Sequence, residues 1–261
     1  MENGKKSPQT IQSIQRSLDI LEFLVEHGSG QKLVSIAEAC GLNKATAFHI
    51  IKTLELRGYI EQSPDSLKYK LGGKLFELAT KSYQRIDMNK ICEPYMAEFI
   101  DRFNETIAVY NYAAIHGEMK ALCTDFKESS LPVRVLLSTG KWLRLYASAP
   151  GRLYLSAYDD RRLDEYFDAL GPLEKITAQT ITQRTVLLEK IAACRQDRYC
   201  VEQEEYEPGV VNLAVPIYKY SGRVIASLCV TLPSQRAEAA RLQQMAEFLL
   251  PASKELSDMD L

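Results

Sequence analysis

Lys44, Thr46, His49 and Lys52 sit close together, interleaved with Ala47, Ile50, Ile51 and Leu54. The apolar members recur at helical spacing, so the polar ones share the opposite face of a helix. Lys44 can reach a guanine edge or a phosphate, and Thr46 and His49 can hydrogen-bond to bases. Ala45 can meet a thymine methyl, Lys52 follows one turn on, and Phe48 either packs or meets a base. Asn43 is suited to cap this helix. That set of side chains reads base edges rather than making or breaking bonds.

A second constellation lies further along. Asn212 interrupts the apolar run 210–216, and Cys229 and Thr231 alternate with Leu228 and Val230, so they share one strand face. A polar side chain in an apolar strand must be paired or face a cavity. Ala149, Pro150 and Gly151 read as a helix start of little bulk, with backbone N–H groups available to an anion. These groups can form the polar end of an apolar pocket, with Tyr110, Tyr112, Tyr146 and Tyr154 as aromatic walls. Glu202 either joins them or belongs, with Glu204, Glu205 and Glu207, to a solvated acidic loop.

Catalytic patterns are missing. There is no G-x-S-x-G, no G-x-G-x-x-G and no phosphate-binding G-x-x-x-x-G-K-[ST]. His27 and His49 fall in the first part of the chain, and His116 reads as a solvated turn residue. Cys40, Cys92, Cys123, Cys194, Cys200 and Cys229 are scattered without C-x-x-C and read as reduced, mostly buried thiols. No pair of Cys or His has metal-ligand spacing, so neither a metal nor a cofactor is expected, and no residue is assigned a catalytic role.

These residues need elements to hold them. Ile11, Ile14, Leu18, Leu21, Leu24 and Val25 form one apolar stripe of a helix over 10–27. Ser35 and Glu38 read as a capping box for a short helix ending at Gly41, and Ser35 there suits a phosphate. Ile36, Ala37, Cys40, Gly41, Leu42, Ala47 and Ile50 are small or apolar where two helices of a helix–turn–helix touch. A hairpin over 59–71 follows, with a turn at 63–66 and with Lys68 and Lys70 placed to meet the DNA backbone. Leu75, Phe76, Leu78, Ala79 and Tyr83 mark a helix over 74–86. Helix, helix–turn–helix and hairpin in that order describe a winged helix.

The remainder mixes both periods. Helices are expected over 88–104, 150–158, 159–170, 182–198 and 234–258, the last interrupted near Pro251. Strands are expected over 106–115, 118–126, 131–138, 141–147, 199–203, 210–218 and 223–232. Hairpin-connected strands covered by helices imply an α+β domain with an antiparallel sheet.

The 261 residues carry 32 Lys+Arg against 34 Asp+Glu, a net −2. Residues 1–85 hold 12 and 9, and the rest hold 20 and 25, so a mildly basic segment precedes an acidic one. No apolar run approaches the ~18 residues that cross a bilayer. Lys5 and Lys6 are followed by polar residues where a leader peptide would be apolar, so the protein reads as cytoplasmic, with no membrane partner.

The run 11–22, the helix 44–54 and the hairpin exit 69–72 resemble the isocitrate lyase regulator (IclR) family. So do the small-residue segment 148–157 and the stretches 198–217 and 224–230. The resemblance covers nearly the whole chain. It implies a one-component transcriptional regulator: a winged helix–turn–helix over 1–73, a linker helix over 74–86, and a GAF-like antiparallel-sheet domain over 87–261 that binds a small effector and oligomerises. The implied partners are double-stranded operator DNA, a small organic, aromatic or sugar acid, and a second copy or more, as homodimer or homotetramer. The implied DNA contacts are Ser35, Asn43, Lys44, Ala45, Thr46, Phe48, His49, Lys52, Lys68 and Lys70. The implied pocket residues are Ala149, Pro150, Gly151, Glu202, Asn212, Cys229 and Thr231. Two other classes stay open on the residues alone: a ligand-free architectural DNA-binding protein, and an enzyme with an appended winged helix.

Overall fold

The computed structural model describes residues 10–28, 30–83, 88–115 and 117–259. His116 and the end of the expected linker, 84–86, lie outside them. The chain divides into two compact units, Met1–Arg85 and Ile86–Leu261.

The first unit holds α1 (Gln12–Glu26), α2 (Leu33–Ala39), α3 (Lys44–Leu56), β1 (Ile60–Gln62), β2 (Tyr69–Leu71) and α4 (Lys74–Tyr83). Its core is Ile20, Leu24, Ile36, Ile51, Ile60 and Tyr69. Gly41 sits at φ +62°, the left-handed turn that separates α2 from α3. Strands β1 and β2 pair antiparallel, with Glu61 opposite Lys70. Gly72 is required by close approach, since a Cβ there would lie 2.2 Å from the Gly58 carbonyl oxygen.

Two expectations change in this unit. Ser35 is no cap: α2 begins two residues earlier and its cap, Lys32, makes no side-chain bond. The cause is Gln31, whose backbone exchanges hydrogen bonds with Tyr69 and so sets where the helix can start. In α1, Ile20 and Leu24 face the core, whereas Ile11, Ile14, Leu18 and Val25 remain exposed. The helix is packed along one edge, so most of the expected stripe faces outward.

The second unit is built on a six-stranded sheet. Its elements are α5 (Met88–Phe103), β3 (Thr106–Ile115), β4 (Glu118–Lys127), β5 (Trp142–Arg144), α6 (Ala149–Ser156), α7 (Asp160–Leu170), α8 (Arg184–Asp197), β6 (Cys200–Gln203), β7 (Val210–Tyr218), β8 (Val224–Pro233) and α9 (Ala239–Asp258). Spatial order is β5-β4-β3-β8-β7-β6, and every pairing is antiparallel. Alternation along the strands makes two cores. Ile107, Val109, Leu213, Leu228 and Val230 share one with residues of α5 and α9. Ala108, Tyr110, Cys123, Cys200, Ala214 and Cys229 share the other with residues of α6, α7 and α8.

The expected strand 131–138 does not form. Its backbone groups are taken by side chains instead of a neighbouring strand. Leu131 N–H donates to Ser129 Oγ, Thr106 Oγ1 donates to the Val135 carbonyl, and Arg236 Nη1 donates to the Val133 carbonyl. The expected strand 141–147 shrinks to β5, which pairs with β4 rather than across Thr139 and Gly140. Helix α9 starts at Ala239, after a 3₁₀ turn, and runs unbroken through Pro251. Pro251 lies on its exposed side, and buried Leu249, Ala252 and Leu256 hold the two halves in line.

Candidate functional site

In the first unit, α3 turns Ala47 and Ile51 into the core and leaves Lys44, Ala45, Phe48 and His49 exposed. Asn43 caps the helix, its Oδ1 accepting from the Thr46 N–H at 2.8 Å, and Thr46 is half-buried. Phe48 is 39% exposed, so it is not a core residue. Its ring meets His49 edge-on at 5.9 Å, and Lys52 Nζ lies 5.8 Å from its centroid. Lys52 is also paired with Glu55 at 2.6 Å. In the hairpin, Lys70 pairs with Glu61 at 2.7 Å, and Lys68 is half-buried with its stem against Gly30. Ser35 is exposed in the first turn of α2. Lys44 and His49 thus lie on the outer side of α3, whereas Lys52 and Lys70 already hold carboxylates.

In the second unit, strand register brings four polar residues into one row. Glu202 is opposite Asn212, Asn212 opposite Thr231, and Thr231 opposite Thr106. Thr231 Oγ1 donates to Asn212 Oδ1 at 2.8 Å, and Asn212 Nδ2 donates to Glu202 Oε2 at 2.6 Å. The second Glu202 oxygen accepts the N–H groups of Glu205 and Tyr206. Glu202, Thr231 and Thr106 are buried and Asn212 is half-buried. Burial pushes the Glu202 carboxyl up to about 7, against the pull of these donors.

Glu202 and Glu205 are therefore not parts of a solvated loop. Arg152, fully buried on α6, holds Glu205 in a bidentate pair and donates Nε to the Tyr146 carbonyl. Thr177 and Thr180 donate their hydroxyls to backbone carbonyls of the same loop. Glu207 alone of the four is exposed, and Glu204 is half-buried.

The start of α6 departs from the anion cradle expected of it. Ser148 caps the helix and takes the Gly151 N–H on its own hydroxyl, and Pro150 has no N–H to offer. Gly151 is there for packing, since a Cβ would sit 2.3 Å from Leu145 Cα. Ala149, Pro150 and Gly151 are buried. The Pro150 carbonyl accepts from Tyr112 OH, which also donates to Ser227 Oγ. Pro150 is thereby tied to a point four residues along β8 from Thr231, with Cys229 between them. Cys229 is fully buried, which pushes its thiol up, and its Sγ donates to the neighbouring Val230 carbonyl. Of the tyrosines, Tyr112 and Tyr154 stack at 4.4 Å, Tyr146 donates to the Glu174 carbonyl, and Tyr110 is buried. The structure thus links Glu202, Asn212 and Thr231 by hydrogen bonds, while α6 packs against the three strands that carry them. Thr106, Ser148, Arg152 and Glu205 were missed. Only strand register could have revealed Thr106, and only the folded loop could have paired Arg152 with Glu205.

Known proteins resemble the chain over its whole length. Residues 13–64 match the IclR helix-turn-helix domain, and residues 80–258 match the bacterial transcriptional regulator IclR C-terminal domain. The regulator XynR of Escherichia coli K12 is 29% identical over 247 residues, 95% of this chain and 96% of its own length. KdgR of the same organism is 29% identical over 254 residues, 97% of this chain and 94% of its own. The Thermotoga maritima IclR structure superposes with a TM-score of 0.79 at 22% identity, covering 96% of this chain and 99% of its own, which shows the fold. By both of its parts, the chain belongs to the IclR family of bacterial transcriptional regulators.

Proposed function

We propose that the protein is a cytoplasmic, non-enzymatic regulator that binds operator DNA as a homodimer or homotetramer and answers to a small organic, aromatic or sugar acid. Residues 1–73 are the DNA-binding domain, 74–86 the linker and 87–261 the effector-binding domain. The observation that carries the DNA reading is the two-sidedness of α3, with Ala47 and Ile51 buried and Lys44, Ala45, Phe48 and His49 exposed. That arrangement suits a helix lying in the major groove. Asn43, Thr46 and Lys52 frame it, while Ser35, Lys68 and Lys70 serve the phosphates. The exposed apolar residues Ile14 and Leu18 of α1 and Phe76 of α4 support self-association.

The effector reading rests on the linked row Glu202–Asn212–Thr231, with Cys229, Ala149, Pro150 and Gly151 lining the apolar side. A related structure, an IclR homolog from Microbacterium hydrocarbonoxydans, holds 4-hydroxybenzoate, which supports an acid of that class. The test has two arms. DNA selected from random sequence should carry dyad symmetry, with half-sites about 10 bp apart or a multiple. A thermal-shift screen of carboxylic, aromatic and sugar acids should find a stabilising ligand, and its effect on operator binding should vanish in Asn212→Leu while DNA binding persists. A footprint without symmetry, or an unchanged dose response in the variant, overturns the corresponding half.

A further inference from the structure

A groove of about 1300 Å³ opens on the second unit, bounded by the end of α8, the β7–β8 turn and α9. Tyr218, Leu250 and Pro251 give it an apolar wall, and its charged lining is Arg195, Arg198, Lys219 and Lys254 with the carboxylates of Glu247 and Asp258. The other cations there are occupied: Arg195 donates to the carbonyls of Ser156 and Tyr158, and Lys254 pairs with Asp258. Among the described residues, Arg198 and Lys219 have no carboxylate partner. Arg198 closes α8 in the left-handed conformation, at φ +60°. Its charge is felt at Tyr218, which lines the same groove and whose hydroxyl burial pushes up and Arg198 pulls back. Two uncompensated cations beside an aromatic and aliphatic wall match a ligand with one charged end and one flat apolar end.

We propose that this groove is a second ligand site, taking a small organic anion with a flat apolar body. Its acid group lies against Arg198 and Lys219 and its ring against Tyr218 and the Leu250–Pro251 wall. The site is separate from the Glu202–Asn212–Thr231 row. Tyr218 lies six residues along β7 from Asn212, roughly 20 Å at the rise of a strand.

The experiment titrates the full chain with naphthalene-2-sulfonate by calorimetry, with naphthalene-2-methanol as the uncharged counterpart. Saturable binding of the sulfonate, and none of the alcohol at the same concentrations, is expected. Arg198→Asn with Lys219→Gln should weaken it at least tenfold, Asn being tolerant of the left-handed conformation. Asn212→Leu should leave it unchanged, which separates this site from the proposed effector row. A thermal melt shows that the variants are folded. Absence of saturable binding, equal affinity for the alcohol, full affinity in the charge variant, or loss in Asn212→Leu each overturns the proposal.

Discussion

Asn212 donates its side-chain amide to Glu202 across the β6–β7 pair at 2.6 Å. The bond makes the row directional. Thr231 gives its proton to Asn212, Asn212 gives one to Glu202, and the chain ends on a buried carboxyl that also takes two backbone N–H groups. If Glu202 is protonated on the oxygen facing Asn212, donor meets donor, and the amide must turn round to accept. The polarity presented by the row thus depends on one proton.

That proton has a stability consequence. Burial holds the Glu202 carboxyl at about 7, above the value of about 4.3 for an unfolded glutamate. Between those values the folded chain keeps a proton that the unfolded chain releases. The contribution is therefore full below pH about 4 and is lost as pH rises to about 7. It amounts to something on the order of 2–4 kcal/mol. Glu202→Gln should flatten this part of the stability–pH curve, measured by urea unfolding at pH 5 and 7.5. Identical slopes in variant and wild type would exclude Glu202 as the titrating group.

Arg152 and Glu205 should behave as a unit. Removing one partner, as in Arg152→Met or Glu205→Leu, leaves a buried charge alone and should cost about 3–5 kcal/mol. The double variant Arg152→Met with Glu205→Leu should cost far less than the two single changes together. Additive losses in a double-mutant cycle would show that the pair is not coupled.

Gly151→Ala sets two effects against each other. Alanine in a helix is favoured over glycine by about 1 kcal/mol. Here its methyl would enter the space of the Leu145 backbone, and overpacking of that kind costs about 1–3 kcal/mol. Backbone cannot swing aside as a side-chain tip can, so a net loss of stability and a lower Tm are expected. A Tm at or above wild type would show that the α6–Leu145 contact is loose.

Two neighbours on α3 should separate folding from recognition. Asn43→Ala removes the cap seen at Thr46 N–H and should cost about 1 kcal/mol of stability. Lys44 has no side-chain partner among the described residues, so Lys44→Ala should leave stability within about 0.5 kcal/mol, while weakening operator binding by about 1–3 kcal/mol. Fluorescence anisotropy with operator DNA, beside a thermal melt, distinguishes them. Wild-type affinity in Lys44→Ala would remove it from the interface.

The helix–turn–helix was readable because its signals are local. Gly41, Asn43 and the spacing of Ala47, Ile50 and Ile51 act within a few residues, and α3 begins where its cap says it should. The alternation in β8 likewise placed Cys229 and Thr231 on one face, and the strand register adds Asn212 to it. Signals failed where distant chain segments competed for the same backbone. Val133 and Val135 alternate like strand residues, but Arg236 and Thr106 claim their carbonyls. Ser35 and Glu38 have the spacing of a cap, but Tyr69 decides where α2 begins.

The sequence by itself therefore determined most of the order of elements, the outward face of α3 and the family. Periodicity and turn chemistry are properties of neighbouring residues, and they survive in a one-dimensional reading. Only the tertiary structure decided that Glu202 and Glu205 are buried, that one is held by Asn212 and the other by Arg152, and that Arg198 and Lys219 have no carboxylate partner among the described residues. A side chain's charge state and partners depend on what the fold brings across the sheet, from residues ten to more than fifty positions away. No local pattern carries that information.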